Sequence, residues 1–178
     1  MQTLTNSSIG IKEIPLTQGK MAVVDDDDYE WLSQWKWCVT KVNKGKSDLY
    51  YAIRATKKED GKQTTILMHR AILGLSFGES GVDHIDGNSL NNTKANLRLS
   101  TQSQNIANGR KRSGSSQYKG VNWQKIPQKW RAGIRLQYKS YHLGLFANEI
   151  EAAYAYDVKA KEFFGEYANL NFPERRER

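Results

Sequence analysis

Four side chains in one stretch of this chain carry the groups that hydrolytic chemistry needs. Asp83 and His84 adjoin in Val82-Asp83-His84-Ile85-Asp86-Gly87-Asn88. Asn96 opens Asn96-Leu97-Arg98-Leu99-Ser100, and Asn105 ends Thr101-Gln102-Ser103-Gln104-Asn105. A carboxylate and an amide oxygen are hard donors of the kind a divalent cation prefers. An imidazole, with an ordinary pKa of about 6.5, can take a proton from water at neutral pH. A cation beside that water would polarise a phosphodiester and stabilise the oxygen that leaves. In this reading Asp83 and Asn105 are metal donors and His84 is the general base. Asn96 could accept from the other ring nitrogen and hold the imidazole in place. An Asp-His pair alone is commonplace and Asp-Gly-Asn alone is a turn; it is the order and spacing of the whole set that point to this chemistry.

Local structure must bring these groups together. Val82 to Ile85 suits a strand, Asp86-Gly87-Asn88 a turn, and Leu97 to Leu99 a second strand. Thr101 with Gln104 three residues on is the signature of a capping box, which predicts a short helix holding Asn105. Strand, loop, strand and helix would gather Asp83, His84 and Asn105. Upstream, 11–16 and 21–24 read as short strands. The run Asp25-Asp26-Asp27-Asp28 could suggest a metal site, but adjacent residues point in different directions, and carboxylates favour the positive end of a helix. Trp35, Trp37, Val39, Tyr51 and Ile53 alternate with polar residues as a hairpin around Asn43-Lys44-Gly45-Lys46. Residues 64–73 read as a strand turning helical after Met68-His69-Arg70. These parts are expected to be scaffold. His69 is either a phosphate contact near the site or a buried structural histidine; Arg70 and Arg98 are either phosphate contacts or solvated.

The order Asp-His, Asn, Asn resembles the HNH nuclease family in its His-Asn-Asn form, and is similar to phage intron-encoded and free-standing homing endonucleases. Met68-His69-Arg70 and Ser103-Gln104-Asn105 match that subfamily as well, so the resemblance covers residues 66–108. It implies a ββα-metal fold with His84 as general base, Asp83 and Asn105 on the metal, and Asn96 orienting His84. Asn105 stands where many members have a histidine, and an amide oxygen there suits Mg²⁺ or Mn²⁺ rather than zinc.

Downstream, Gly-Arg-Lys-Arg-Ser-Gly-Ser-Ser has the composition of a flexible linker. Its cations Arg110, Lys111 and Arg112 could track a phosphate backbone. Three strands are expected at 120–124, 130–137 and 139–146. A helix follows, with Asn148 as N-cap, Glu151 completing a capping-box-like pair and Gly165 as the stop. Tyr118-Lys119-Gly120-Val121, Trp130-Arg131-Ala132-Gly133-Ile134-Arg135, Leu143-Gly144-Leu145-Phe146 and Asn169-Leu170-Asn171-Phe172-Pro173 resemble the DNA-binding domain of plant ethylene-response factors (the apetala-two type). That family lays a three-stranded sheet in the major groove. The resemblance implies that Lys119, Asn122, Gln124, Arg135 and His142 face DNA, with Lys125, Arg131 and Lys139 as neighbours. Asn122, Gln124 and His142 depart from the plant residues, so no target sequence carries over. Trp123 and Trp130 are expected in the core.

Charge agrees with an anionic partner. The chain carries a net +8, and Gly87 to Asn148 holds eleven basic residues and no acidic one. No amphipathic basic helix is visible there, which favours nucleic acid over membrane. The single cysteine, Cys38, excludes an intramolecular disulfide and a Cys-rich zinc cage. No secretory signal or membrane span is expected.

The chain is expected to be an α+β protein. A β-rich scaffold at 1–65 precedes an HNH module at 66–108, a linker at 109–116, a DNA-binding sheet with one covering helix at 117–173 and a charged tail at 174–178. The expected activity is metal-dependent, site-directed DNA cleavage by a soluble cytoplasmic monomer of a bacterium or phage-infected cell. Double-stranded DNA is the partner, and no small-molecule cofactor is needed beyond the metal. A non-catalytic DNA-binding regulator is the alternative, although it would not need the intact Asp83, His84, Asn96 and Asn105 set. An RNA-binding or structural protein is a further rival, and it lacks an aromatic platform motif.

Overall fold

A two-residue period of apolar side chains builds the first hairpin. Ile14, Ala22 and Val24 face inward, so β1 (Ile11–Pro15) and β2 (Met21–Asp25) pair as an antiparallel hairpin. The computed structural model describes residues 10–44, 47–56, 61, 63–76, 78–111 and 114–173. The aspartate run does enter a helix, α1 (Asp26–Leu32), with three acids in its first turn. Asp25 and Asp28 also serve a second purpose. Asp25 Oδ2 accepts from the Lys94 backbone N–H at 2.7 Å, and Asp28 pairs with the Lys94 ammonium at 2.9 Å. Both bonds tether the segment leading into Asn96.

Next come β3 (Cys38–Lys44), β4 (Ser47–Ala55) and β5 (Thr65–Leu67), an antiparallel sheet in the order β3-β4-β5. The short α2 (Met68–Ile72) follows directly. Ile14, Val24, Leu32, Trp37, Val39, Ala52 and Met68 form one buried cluster. Trp37 donates its indole N–H to the Leu32 carbonyl at 2.8 Å, so its one polar atom is satisfied. On this base stand β6 (Gly81–His84) and β7 (Leu97–Ser100), a two-stranded sheet.

The chain divides into two compact units, residues 1–99 and 100–178. That division falls earlier than the linker expected at 109–116, because α3 (Gln102–Asn108) sends Ala107 into the core of the second unit beside Ile134, Tyr156, Ala160 and Phe164. The expected linker is also built in where it is described. Ser116 is buried, its hydroxyl accepts from the Tyr118 N–H at 2.9 Å, and the Ser115 hydroxyl accepts from the Trp123 N–H at 2.7 Å. Arg112 and the tail at 174–178 lie outside the described residues.

The second unit contains β8 (Val121–Gln124), β9 (Lys129–Leu136) and β10 (Lys139–Phe146), antiparallel in the order β10-β9-β8, with α4 (Glu149–Phe164) against one face. Ala152, Ala153 and Ala160 let the helix lie close to the strands. Asn148 caps α4 by accepting from the Ile150 N–H at 2.7 Å. The expected partner Glu151 makes no such bond; Glu149 turns outward instead and accepts from the Gln117 N–H.

Gly120, at φ 76°, passes the Tyr156 ring so closely that a Cβ would sit 1.9 Å from Cδ2. A methyl there adds overlap to an unfavourable left-handed backbone. Gly120→Ala is expected to cost about 2 kcal/mol, read by denaturant unfolding; wild-type stability would remove this constraint.

Candidate active site

The site is a loop shaped by one carboxylate. Between β6 and β7, Asp86 Oδ1 accepts from the Asn88 N–H at 2.7 Å and from Asn96 Nδ2 at 2.9 Å, while Oδ2 accepts from Asn91 Nδ2 at 2.8 Å. The Asp86 N–H donates back to Asn96 Oδ1 at 3.0 Å. Burial acts to raise the Asp86 pKa, but these hydrogen bonds from Asn91, Asn88 and Asn96 outweigh it and hold the group ionised below the usual carboxylate range. The scaffold straps the far side of the loop. The Val23 N–H donates to the Leu90 carbonyl at 2.9 Å, the Asn92 N–H to the Val23 carbonyl at 2.7 Å, and the Ser89 hydroxyl to the Tyr50 carbonyl.

His84 ends β6, buried, at the root of this loop. Its ring meets the Asn92 amide oxygen at 3.4 Å through Nε2. Asn92 is fully buried and donates its Nδ2 to the Leu90 carbonyl, which fixes the amide with its oxygen toward the ring. His84 Nε2–H is therefore the donor, and the basic lone pair belongs to Nδ1. Burial holds the imidazole below the ordinary histidine range, a shift only partly offset by Asn92, Asp86 and Asp83. The ring is neutral at physiological pH, as a proton acceptor must be.

Asn96 has a different role from the one expected. Its amide bonds run to Asp86 and to the Asn91 carbonyl, not to the imidazole. It acts on His84 through the loop, because it sits in the turn before β7, opposite Asp86. The direct ring partner is Asn92, which the sequence reasoning missed. Its only signal there was its place in an asparagine-rich loop.

Asp83 is buried beside His84, and Arg98 grips its Oδ2 with Nε at 2.8 Å and Nη2 at 2.7 Å. Arg98 is thus neither solvated nor a surface phosphate contact: its side chain is 13 % exposed. Arg70 donates to the Ser80 and Ser76 carbonyls and pins the loop before β6. His69 is buried and meets the His84 ring edge-on at 5.1 Å between centroids. Burial, then His84 and Arg70, push its pKa down to about 3. At neutral pH it brings no positive charge to a phosphate. Tyr51, expected to be scaffold, closes the cluster with ring centroids 5.5 Å from His69 and 6.2 Å from His84. Burial and then Asp83 raise its pKa, so it stays a phenol.

The first unit therefore gathers Asp83, His84, Asn96 and His69, while Asn105 stands half-buried on α3 in the second unit. Among the described residues no group of three His, Cys, Asp or Glu side chains is arranged to hold a metal ion. A closed protein cage of the structural-zinc kind does not fit this donor set. A hard ion that keeps several waters and takes a single carboxylate does fit.

On the predicted sheet face, strand register puts Asn122, Gln124, Arg131, Arg135 and His142 opposite α4. Lys125 is exposed in the turn after β8, and Arg110 and Lys111 are exposed after α3. Lys139 pairs with Leu136 and lies over the Tyr141 ring at 5.3 Å, on the other face. Lys119 does not face outward either; its ammonium donates to the Ala107 and Gly109 carbonyls. Trp123 packs edge-on against Trp130 but is 38 % exposed, because α4 lies mainly over β9 and β10.

Arg98→Met leaves a buried carboxylate without its guanidinium, and removing one partner of such a pair typically costs about 3 kcal/mol or more. Adding Asp83→Asn is expected to restore most of that stability in denaturant unfolding; a double variant as weak as the sum of the single ones would contradict the pairing. The depressed histidines set a pH dependence with a definite sign. Unfolded histidine takes up protons below about pH 6.5 while folded His69 does not, so their contribution is complete above that pH and falls away toward pH 3. Melting temperature should drop between pH 7.5 and 5, and less steeply in His69→Phe; equal slopes would contradict the assignment.

Comparison with known proteins bears on the same residues. The family model described as HNH endonuclease matches residues 67–107, which contain Asp83, His84, Asn96 and Asn105. The chain is 33% identical over 160 residues to the uncharacterized HNH endonuclease L560 of Acanthamoeba polyphaga mimivirus, a match covering 86% of this chain and 76% of the viral protein. It is 37% identical over 62 residues to Protein 3.8 of Escherichia phage T7, covering 34% of this chain and 51% of the phage protein. No solved structure matches. With a buried, neutral histidine beside a gripped aspartate inside the matched segment, and a likeness that runs nearly the length of the chain, this protein belongs to the HNH endonuclease family and is a DNA nuclease.

Proposed function

We propose that the chain is a metal-dependent, site-directed DNA endonuclease of homing type, with a ββα-metal centre formed by β6, β7 and α3 and a DNA-reading sheet in the second unit. The observation that carries this reading is the neutral His84 imidazole, fixed by Asn92 through Nε2, next to an aspartate held by Arg98. Asp83 and the Asn105 amide oxygen would hold Mg²⁺ or Mn²⁺. When bound, such an ion supplies Lewis acidity to the scissile phosphate and charge neutralisation at the leaving oxygen.

The rest is done by the protein's own groups. His84 Nδ1 takes the proton from the attacking water, and donation from Nε2 to Asn92 helps stabilise the imidazolium that results. Asp86 and Asn96 keep the loop from drifting as that charge appears. Arg98 keeps Asp83 paired and directed. Tyr51 and His69 wall the ring and exclude water from one side.

The C-terminal sheet supports DNA recognition by its similarity to the plant ethylene-response domain and by its face of Asn122, Gln124, Arg131, Arg135 and His142. Arginine pairs with guanine and asparagine or glutamine with adenine in the major groove. A single catalytic set in a monomer favours cutting one strand.

His84→Ala is expected to abolish cleavage of duplex DNA while leaving its affinity within about twofold, since the imidazole is asked only for proton transfer. Equal loss of both would contradict its role as base. EDTA should stop cleavage and Mg²⁺ or Mn²⁺ restore it. In the full chain, Arg131→Ala with Arg135→Ala should weaken duplex binding and reduce the slope of log K against log salt by about 2; an unchanged slope would remove the sheet from the DNA interface.

A further inference from the structure

The helix that carries Asn105 is held by residues far from it in sequence. α3 has seven residues, too few to be stable alone, and its last carbonyls have no partners within the helix. The second unit supplies those partners. Lys119 Nζ donates to the Ala107 carbonyl and, at 2.6 Å, to the Gly109 carbonyl. The Asn169 N–H donates to the Ala107 carbonyl at 3.2 Å, and its Nδ2 to the Asn108 carbonyl at 3.0 Å. At the other end of α3, the Tyr138 hydroxyl donates to Gln102 Oε1 at 3.1 Å. Underneath, Ala107 is buried against Ile134, Tyr156, Ala160 and Phe164.

The placement of Lys119 is not that of a surface cation. Burial lowers its pKa to about 8 against the opposing charge of Asp157, so the ammonium sits where the carbonyls of a helix C-terminus are its compensation. Those carbonyls belong to the turn that follows Asn105. Holding them fixes the rotation of α3 about its axis, and with it the direction of the Asn105 side chain.

We propose that Lys119 and Asn169 are positioning residues for Asn105: the C-terminal unit, besides gripping DNA, clamps the last turn of α3 and so sets the amide that ligates the metal. This rests on the reading of Asn105 as a ligand given above. It also means that a lysine expected on the DNA face serves the catalytic centre instead.

The test uses the full-length chain with Lys119→Met, Asn169→Ala, Lys119→Arg and Asn105→Ala. Three quantities are read: the Mg²⁺ concentration giving half-maximal cleavage, duplex affinity in EDTA, and amide hydrogen exchange in α3. Loss of a group that directly orients a metal ligand typically costs about 10–100-fold in metal affinity, and the clamp, which acts through the helix backbone, is expected at the low end of that range. Lys119→Met and Asn169→Ala are expected to raise the Mg²⁺ requirement about tenfold and to speed exchange in α3, with duplex affinity within twofold. Lys119→Arg should recover part of both. Asn169→Ala removes only a neutral amide, so it decides the matter if Lys119→Met fails to fold. Weaker duplex binding with an unchanged Mg²⁺ requirement and unchanged exchange would make Lys119 a DNA contact and overturn the clamp. If Asn105→Ala keeps the wild-type Mg²⁺ requirement, the ligand reading itself falls and takes the positioning role with it. If Asn105→Ala raises the requirement and the clamp variants do not, the clamp alone falls.

Discussion

Taking Asp83 out of water is costly, and the Arg98 fork makes it tolerable. A carboxylate buried beside an imidazole needs a partner to replace the water it has lost. Two guanidinium nitrogens on Oδ2 hold it in place. The rest of the first unit is arranged around that pair. β6 and β7 must run side by side for Arg98 to reach Asp83, and the loop between them must then close tightly. His84 is kept neutral by the same burial that makes the pair necessary.

The loop shows how much polar bonding is needed to hold a short irregular segment. Asp86 takes three donors, Asn96 faces it from the far end of the loop, and the backbone at 90–92 is tied to the edge of β2. Asp25 and Asp28 hold Lys94 from beneath. The N-terminal hairpin and helix are therefore more than filler. They are the frame on which the histidine loop is stretched.

What could be read in the sequence was local. The Thr101–Gln104 capping box forms as expected, with reciprocal bonds at 3.3 and 2.8 Å, because both partners lie within one turn. The strands flanking Asp83 and Leu97 follow from apolar patterning, and the sheet order of the second unit from short turns. Long-range partners were hidden. Asn92 meets His84 only because the loop threads back along β2, and Lys119 meets the end of α3 only because Ala107 is drawn into a distant core. The Gly-Ser run looked like a linker by composition, yet two of its serine hydroxyls take up backbone N–H groups and bind it to β8 and its approach. Trp123 alternates as expected and pairs with Trp130, but β8 is an edge strand that α4 barely covers.

One small contact on the outer sheet face carries a chemical consequence. Arg131 Nε donates to His142 Nδ1 at 3.2 Å, and a guanidinium has no lone pair to offer in return. The proton of the His142 ring must therefore reside on Nε2. Any molecule lying across this part of the sheet meets a directed N–H and has to answer with an acceptor.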